Sequence, residues 1–390
     1  MLWLSPSLYS QSVEEAIALG SECLGTDSVL VMRLTSRYCI INGKDVEGYA
    51  IVSVGRDNPS ILGYSKSCTW REGEMPPALI EWLDGLNEQK KVSFSCRLSR
   101  RLVTPRVDIP PLLTCHWHQS SPYNDLCPVI EDGNVKTAAG CVAIAAAQVV
   151  YYWRDWLPLE TLKDTPVYPY GAAPVTMSIP KGTLNNWDLL RDEYGDEDSE
   201  TSRAAVAQLV YVIGTTSYLQ YAASTGGQIS EAANTIYAQF RMTSEFAVKA
   251  NFEQEDWERL LYESLEEGCP IIYSGSKGGD GHAVVVDGYD ASYGLFHFNF
   301  GWGGSGDGFY TVNDETGMNG YYRGQQCVHK IVPQGYQTKI STPQIKNEQE
   351  ASHTVYSING IPLQSVKDNR FWSRGIPHGI YIQNGQKVVK

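Results

Sequence analysis

The stretch "AAGCVAIAAAQ" at residues 138–148 decides the fold of this chain, because it predicts a buried helix that begins at a cysteine. Gly140 precedes Cys141, and small apolar residues with high helix propensity follow, without a polar side chain before Gln148. A thiol at a helix N-terminus lies at the positive end of the macrodipole, which favours the thiolate and lowers the pKa of the cysteine. Cys141 is therefore interpreted either as a nucleophile or as a small buried hydrophobic residue.

A histidine after a glycine-rich turn is the first candidate partner of Cys141. His282 stands in "GGDGHAVVVDGYD" (278–290), at the start of an apolar strand. A thiolate–imidazolium pair needs only that the two side chains meet in space, and a strand end can meet a helix N-terminus across a cleft. The combination favours the nucleophile over the buried thiol.

Two amide side chains extend the candidate site. Asn299 lies in "FHFNFGWGGSGDGFY" (296–310), where an antiparallel strand could return it beside His282 and let it hold the second ring nitrogen. It could equally be an ordinary residue at a strand end. Gln119, in "HWHQSSPYNDLCP" (116–128), could donate to an oxyanion together with the backbone N–H of Cys141.

Composition excludes several classes of protein. The 390 residues carry 31 Lys and Arg against 44 Asp and Glu, a net charge of −13 that argues against nucleic-acid binding. The apolar stretches are too short to cross a bilayer, so no integral membrane span is predicted. Nine cysteines are an odd number in a chain this large, so at least one free thiol is expected rather than a disulfide framework.

No metal or other cofactor is predicted. The nearest candidate is a crowded string formed by Cys115, His116, His118 and Cys127. This string lacks the paired spacings from which zinc ligands usually converge.

The order of the predicted elements indicates an α+β fold. Helices are expected over 141–153, 201–213, 228–240 and 253–267, and the pattern turns to strands after about residue 268. The predicted divisions are a signal-peptide remnant (1–12), a small α+β unit (13–98), a basic proline-containing linker (99–111), a large unit (112–335), a polar linker (336–349) and a β element around Asn-Gly turns (350–390).

Five blocks of this chain occur in the order found in the streptopain family of papain-like cysteine peptidases. They are "PLLTCHWHQSSPYNDLCP", "AAGCVAIAAAQ", "LNNWDLL", "GHAVVVDGYD" and "FHFNFGWGGSGDGFY", and the resemblance covers about residues 110–333. It implies a papain-like fold and an endopeptidase made as a zymogen, which is secreted or displayed at the cell surface.

The resemblance also implies roles for single residues. Cys141 matches the family nucleophile, His282 its general base and Gln119 its oxyanion glutamine. Asn299 matches the asparagine of the family block "NWGWGG", but Phe300 stands where the family has a tryptophan that helps hold the histidine. "ASTGGQI" (223–229) looks like the family's substrate rim. The predicted substrate-binding residues are Gly226, Gly227, Gly281 and Trp302.

By the same resemblance, residues 13–98 look like an inhibitory prodomain, 99–111 like its activation linker and 350–390 like a C-terminal sorting domain of the type IX secretion route. The implied partners are protein or peptide substrates and the chain's own prodomain as inhibitor. A monomer is expected. Two alternatives remain open: a Cys-dependent acyl transferase on the same fold, and a catalytically inactive surface protein that serves in adhesion.

Overall fold

The computed structural model describes residues 6–54, 59–88, 106–130, 135–166, 169–170, 173–174, 178–277, 280–312 and 323–336, together with four C-terminal strands. The chain divides into two units, Met1–Gln334 and Gly335–Lys390, which are described separately below.

The first unit begins with a four-stranded antiparallel sheet between two helices. Helix α1 (Pro6–Leu24) packs on one face, and α2 (Pro77–Glu88) packs on the other. The strands between these helices are β1 (Val29–Leu34), β2 (Tyr38–Gly43), β3 (Tyr49–Ser53) and β4 (Ile61–Ser65). Helix α1 crosses the boundary predicted at residue 12, because Pro6 suits the first position of a helix.

The helices of the larger part follow the predicted pattern to within a few residues. They are α3 (Cys141–Tyr152), α4 (Glu200–Thr216), α5 (Ile229–Phe240) and α6 (Gln254–Glu266). Two short hairpins precede the main strands: β5 (Val129–Ile130) with β6 (Val135–Lys136), and β7 (Pro169–Tyr170) with β8 (Ala173–Pro174). The main strands are β9 (Met242–Val248), β10 (Ile271–Lys277), β11 (Asp280–Asp290), β12 (Leu295–Asn299), β13 (Gly308–Tyr310) and β14 (Arg323–Pro333).

The N-terminal strands and the later strands form one sheet of ten strands. Its order is β1-β2-β3-β4-β13-β12-β11-β10-β14-β9, and all of its pairs are antiparallel. Strand β4 pairs with β13, with Gly63 opposite Tyr310 and Tyr64 opposite Phe309. A single apolar cluster runs from Trp82 of α2 through Tyr310 to Trp257 of α6, so the core also crosses this seam between β4 and β13.

The second unit is a four-stranded antiparallel sheet. Its strands are β15 (His353–Ser357), β16 (Pro362–Val366), β17 (Ile380–Gln383) and β18 (Gln386–Val389), in the order β16-β15-β17-β18. The strands predicted around the Asn-Gly pairs are therefore present. The Asn-Gly pairs themselves, at 359–360 and 384–385, lie outside the described residues.

Two further predictions can be compared with the part of the chain that the structure describes. No helix there has both the length and the hydropathy that a membrane span requires. Eight cysteines are described, and each of them is a free thiol. The ninth, Cys96, lies outside the described residues, as do the linker arginines Arg100 and Arg101.

Candidate active site

Helix α3 begins at Cys141 because Gly140 turns the chain there. Gly140 has φ +93°, a conformation that residues with a side chain rarely adopt. A Cβ atom on Gly140 would also lie 2.8 Å from the Cγ2 atom of Thr225. Glycine at this position thus meets a backbone requirement and a packing requirement, and it lets the helix start directly at the thiol.

The turn before Cys141 is fixed to two other loops. The backbone N–H of Ala138 donates to the Ala222 carbonyl at 3.1 Å, and the Thr225 hydroxyl donates to the Ala138 carbonyl at 2.7 Å. The backbone N–H of Ala139 donates to the Gln119 carbonyl at 3.0 Å. The sequence segments of Cys141, Gln119 and the "ASTGGQI" rim, which are distant along the chain, therefore meet at this turn.

The structure brings Cys141 to the residue that follows His282. Cys141 and His282 are both half-buried, and His282 lies on β11 opposite Gly275 of β10. The Cys141 thiol accepts a hydrogen bond from the backbone N–H of Ala283. The helix N-terminus and the strand end thus form the two sides of one site.

The helix position of Cys141 predicts a lowered pKa for its thiol, and this prediction is wrong. Burial raises the pKa of the thiol, and hydrogen bonds from the backbone N–H groups of Ala283 and Val142 only partly oppose this effect. The helix N-terminus alone therefore does not ionise the thiol, and a protonated partner is needed to stabilise the thiolate.

Asn299 lies at the end of β12, opposite Val285 of β11 rather than opposite His282. Its Oδ1 accepts hydrogen bonds from Gln148 Nε2 and from the Gly301 N–H, each at 3.0 Å. Its Nδ2 donates to the Cys115 carbonyl at 2.9 Å. Both acceptor positions of Oδ1 are thus occupied by other groups, and the role predicted for Asn299 beside His282 stays a prediction.

Gln148 is a residue of this site that sequence reasoning did not assign. It is fully buried in α3, and its Oε1 accepts a hydrogen bond from the Trp117 N–H at 3.2 Å. The signal was present in the sequence, because Gln148 is the first polar residue after Cys141 in an otherwise apolar helix. A buried polar side chain in such a helix requires hydrogen-bond partners, and here Trp117 and Asn299 supply them.

The two aromatic residues of the glycine-rich loop after β12 differ in burial. Phe300 is buried against Phe298 and Tyr310, so it is a core residue. Trp302 is 37% exposed, and the N–H of the next residue, Gly303, donates to the Trp117 carbonyl at 3.1 Å. The loop that carries Trp302 therefore lies against the segment that leads to Gln119.

The three glycines predicted to bind substrate occupy different surroundings. Gly226 and Gly227 are exposed, and Gly226 forms a β-bridge with Gln220. A Cβ atom on Gly226 would meet open space, whereas one on Gly227 would collide with Leu219. Gly281 is exposed next to His282. Gly226 thus has free space beside it, whereas a Cβ atom on Gly281 would lie 3.3 Å from the Gly275 carbonyl oxygen, and Gly227 is required for packing against Leu219.

Two buried aspartates form hydrogen bonds with segments around the candidate site. Asp287 of β11 accepts hydrogen bonds from His297 Nδ1 at 2.6 Å and from the Leu113 N–H at 2.9 Å. Burial disfavours the His297 imidazolium, but the charge and hydrogen bond of Asp287 outweigh it, so the pKa of His297 is raised. Asp307 holds His116 Nδ1 at 3.1 Å and the Phe300 N–H at 2.9 Å. His116 therefore has a carboxylate as its partner.

The structure offers no further support for a metal at the string of cysteines and histidines. Within the described ranges, no group of three or more His, Cys, Asp and Glu side chains converges as metal ligands would.

Comparison with known proteins identifies the family of this chain. Residues 117–310 match the model of the peptidase C10 family. Streptopain of Streptococcus pyogenes is 28% identical over 320 residues, which cover 73% of this chain and 78% of streptopain. The thiol protease/hemagglutinin PrtT of Porphyromonas gingivalis is 24% identical, over 76% of this chain and 37% of that protein.

Two solved structures have the same architecture. A prointerpain A fragment from Prevotella intermedia superposes with a TM-score of 0.63 and 26% identity, covering 77% of this chain and 98% of the fragment. Active interpain A cysteine protease from the same organism gives a TM-score of 0.51 and 31% identity, covering 57% of this chain and 95% of that protein. The chain belongs to the peptidase C10 family, and it is a cysteine peptidase with the α+β, papain-like fold of that family.

Proposed function

We propose that this chain is the zymogen of a secreted or surface-displayed endopeptidase in which Cys141 is the nucleophile and His282 the general base. The observation that carries the proposal is the packing of α3 against β11, which brings the Cys141 thiol to the backbone of Ala283, the residue next to His282. Because the half-buried thiol has a raised pKa, the ion pair with an imidazolium is the means by which a thiolate can form there.

The proposed reaction is acyl transfer in two steps. His282 takes the thiol proton, and the Cys141 sulfur attacks the peptide carbonyl carbon to form a tetrahedral oxyanion. When the oxyanion collapses, the C–N bond breaks and His282 returns the proton to the leaving amine. Water then attacks the thioester with the help of His282, which releases the acid and restores the thiol.

Gln119 and the backbone N–H of Cys141 are proposed to bind the oxyanion. The hydrogen bond between the Ala139 N–H and the Gln119 carbonyl supports this role, because it holds the Gln119 segment beside the start of α3. A preorganised donor pair lowers the barrier by stabilising charge that develops only in the transition state. Gly226, Gly281 and Trp302 are proposed to line the substrate cleft, since Gly226 is exposed in the loop at 222–227, Gly281 is exposed next to His282, and Trp302 is exposed in the loop that contacts Trp117.

Residues 13–98 are proposed to be the inhibitory prodomain. Support comes from β4, which is paired with β13, and from the loop before α2: the Ser305 hydroxyl donates to the Glu74 carbonyl at 2.8 Å. The similarity to a prointerpain fragment over 77% of this chain agrees with this division. We propose residues 99–111 as the activation linker and residues 350–390 as a sorting domain.

The test compares purified full-length chain with Cys141→Ala and Cys68→Ala variants under reducing conditions. Cys68 is the matched control, because it is also half-buried but lies in the proposed prodomain. We expect wild type and Cys68→Ala to trim themselves and to cleave casein, and Cys141→Ala to stay whole, as followed by gel and mass spectrometry. If a trace of added protease cuts the linker and wild type still leaves casein intact, the proposal is wrong. Transfer of the acyl group to an added amine in preference to water would instead support the acyl-transferase alternative.

A further inference from the structure

We infer that Gln148 is a positioning residue that sets the loop carrying Gln119. The inference rests on the proposed oxyanion role of Gln119. It concerns a pair of buried amides, Gln148 and Asn299, that join α3 and β12 to the segment on which Gln119 lies.

Gln148 occupies a face of α3 suited to this task. It follows Cys141 by about two helical turns, so both residues lie on the same side of the helix. Its side chain is 0% exposed, and its two polar atoms both have partners. Oε1 accepts from the Trp117 N–H at 3.2 Å, and Nε2 donates to Asn299 Oδ1 at 3.0 Å.

Backbone groups fix the direction of both amides. The Trp117 N–H requires an acceptor, so it selects the oxygen of Gln148 and turns the NH2 group toward Asn299. At the other end, the Gly301 N–H selects the oxygen of Asn299 and the Cys115 carbonyl selects its NH2 group. Reversal of the Gln148 amide would lose two hydrogen bonds, and reversal of the Asn299 amide would lose three.

The network holds the chain immediately before Gln119. Cys115 and Trp117 are two of the last four residues before Gln119, and each is hydrogen-bonded to a buried amide. Gln119 itself is held by the Ala139 N–H. An oxyanion donor is effective only when it is preorganised. The hydrogen bonds to Cys115 and Trp117 fix the chain before Gln119, and the bond from the Ala139 N–H fixes Gln119 itself.

The sharp test is Gln148→Glu, which keeps the shape of the side chain. An ionised carboxylate cannot donate to Asn299 Oδ1, so the network breaks, whereas the neutral acid can donate and restores it. The matched control is Gln239→Glu in α5. Gln239 is 1% exposed and also fully engaged, because it accepts from the Leu162 and Lys163 N–H groups and donates to the Lys163 carbonyl.

Three quantities are measured on full-length chains activated by a trace of added protease: kcat on a peptide, inhibition by a peptide aldehyde and alkylation of Cys141 by iodoacetamide. A peptide aldehyde forms a hemithioacetal that uses the oxyanion site, and alkylation does not. We expect Gln148→Glu to lower kcat and weaken aldehyde inhibition by about 10- to 100-fold at pH 7.5. The rate of Cys141 alkylation should change by less than about threefold. The losses of kcat and of aldehyde inhibition should become smaller at low pH, and Gln239→Glu should show neither loss.

Parallel loss of alkylation, or unchanged aldehyde inhibition at pH 7.5, would overturn the inference. Asn299→Asp provides a second variant of the same network and should show the same signature if Gln148→Glu does not fold. The reference is Gln119→Ala. If Gln119→Ala keeps aldehyde inhibition, the proposed oxyanion role is wrong and the positioning role with it. If it loses inhibition while Gln148→Glu keeps it, only the inference about Gln148 is wrong.

Discussion

Gly140 and Thr225 pack so closely that a Cβ atom on Gly140 would lie 2.8 Å from Thr225 Cγ2. The same threonine donates its hydroxyl hydrogen bond to the Ala138 carbonyl. The start of α3 and the loop at 222–227 are therefore fixed to each other, and the position of the thiol depends on a residue without a side chain.

Gly140→Ala is expected to lower the free energy of unfolding by about 2–4 kcal/mol, because it adds both backbone strain at φ +93° and overlap with Thr225. Casein hydrolysis should fall at least about tenfold, since the thiol shifts. Gly73→Ala is the control: Gly73 has φ +84° with open space around it, so only strain of about 1 kcal/mol is added. Urea denaturation in a Cys141→Ala background measures the free energy of unfolding of both glycine variants. Equal losses in the two variants would contradict the overlap with Thr225.

His282→Ala is expected to move the alkylation of Cys141 to higher pH. Burial raises the pKa of the thiol, so without an imidazolium partner little thiolate exists at neutral pH. Iodoacetamide alkylation at pH 7 should slow by at least about tenfold and recover above pH 9. His116→Gln is the control histidine, and an unchanged pH profile in His282→Ala would exclude the dyad.

The His116–Asp307 pair is expected to make stability depend on pH. The hydrogen bond from Asp307 raises the pKa of His116, and burial opposes it. The contribution is therefore complete below about pH 6.5, the unfolded value, and it is lost as the pH rises through the folded pKa. Because His116 is partly exposed, the Tm gap between the Cys141→Ala chain and its His116→Gln version should be only about 2 °C at pH 5.5. It should narrow by pH 8.5, and a gap that widens with pH would contradict this assignment.

Mature N-termini are expected at or before Arg106. From this residue the chain is fixed to the peptidase part: the Val107 N–H donates to the Tyr262 hydroxyl at 3.0 Å, and Ile109 exchanges two hydrogen bonds of 2.8 Å with Tyr289. Arg106 itself lies over the rings of Tyr262 and Tyr289 and 3.6 Å from Glu258. Proteases prefer segments that are free to enter their clefts. Mass spectrometry of the processed enzyme checks this, and a start after Arg106 would refute it.

Gly63→Val is expected to weaken the hold of the proposed prodomain. Gly63 faces Tyr310 across the seam, and a Cβ atom there would collide with the tyrosine ring. After the linker is cut, this variant should reach full activity at least about tenfold sooner than wild type, because overpacking strains the paired state. Val31→Ala on the far edge strand β1 is the control. Equal lag times in a continuous peptide assay would show that the seam does not limit activation.

Helical periodicity predicted α3 to α6 to within a few residues, because these segments carry long apolar patterns and clear ends. The pairing of β4 with β13 could not be predicted. It joins residues far apart along the chain, and a strand edge carries no mark of its partner in its own sequence.

The candidate site was predictable where one residue type supports one chemistry. Cys141 and His282 could be named because few side chains serve as nucleophile and base, although their roles stay predictions. The direction of the Cys141 pKa was predicted wrongly, because helix position is visible in sequence and burial is not. Gln148 was missed for a related reason. The role of a buried amide depends on its hydrogen-bond partners, here Trp117 and Asn299, and the sequence does not show which residues these are.

The seam between β4 and β13 also bears on what a cut in the linker accomplishes. Such a cut removes one covalent connection, but it leaves the strand pairing, the Ser65 hydroxyl bond of 2.6 Å to the Asp307 carbonyl and the common apolar cluster intact. If residues 13–98 are the prodomain, as proposed, the immediate product is a nicked two-chain complex. Its conversion to free enzyme is then governed by a dissociation rate and by dilution, so the amount of cleaved chain on a gel would overstate the amount of working peptidase.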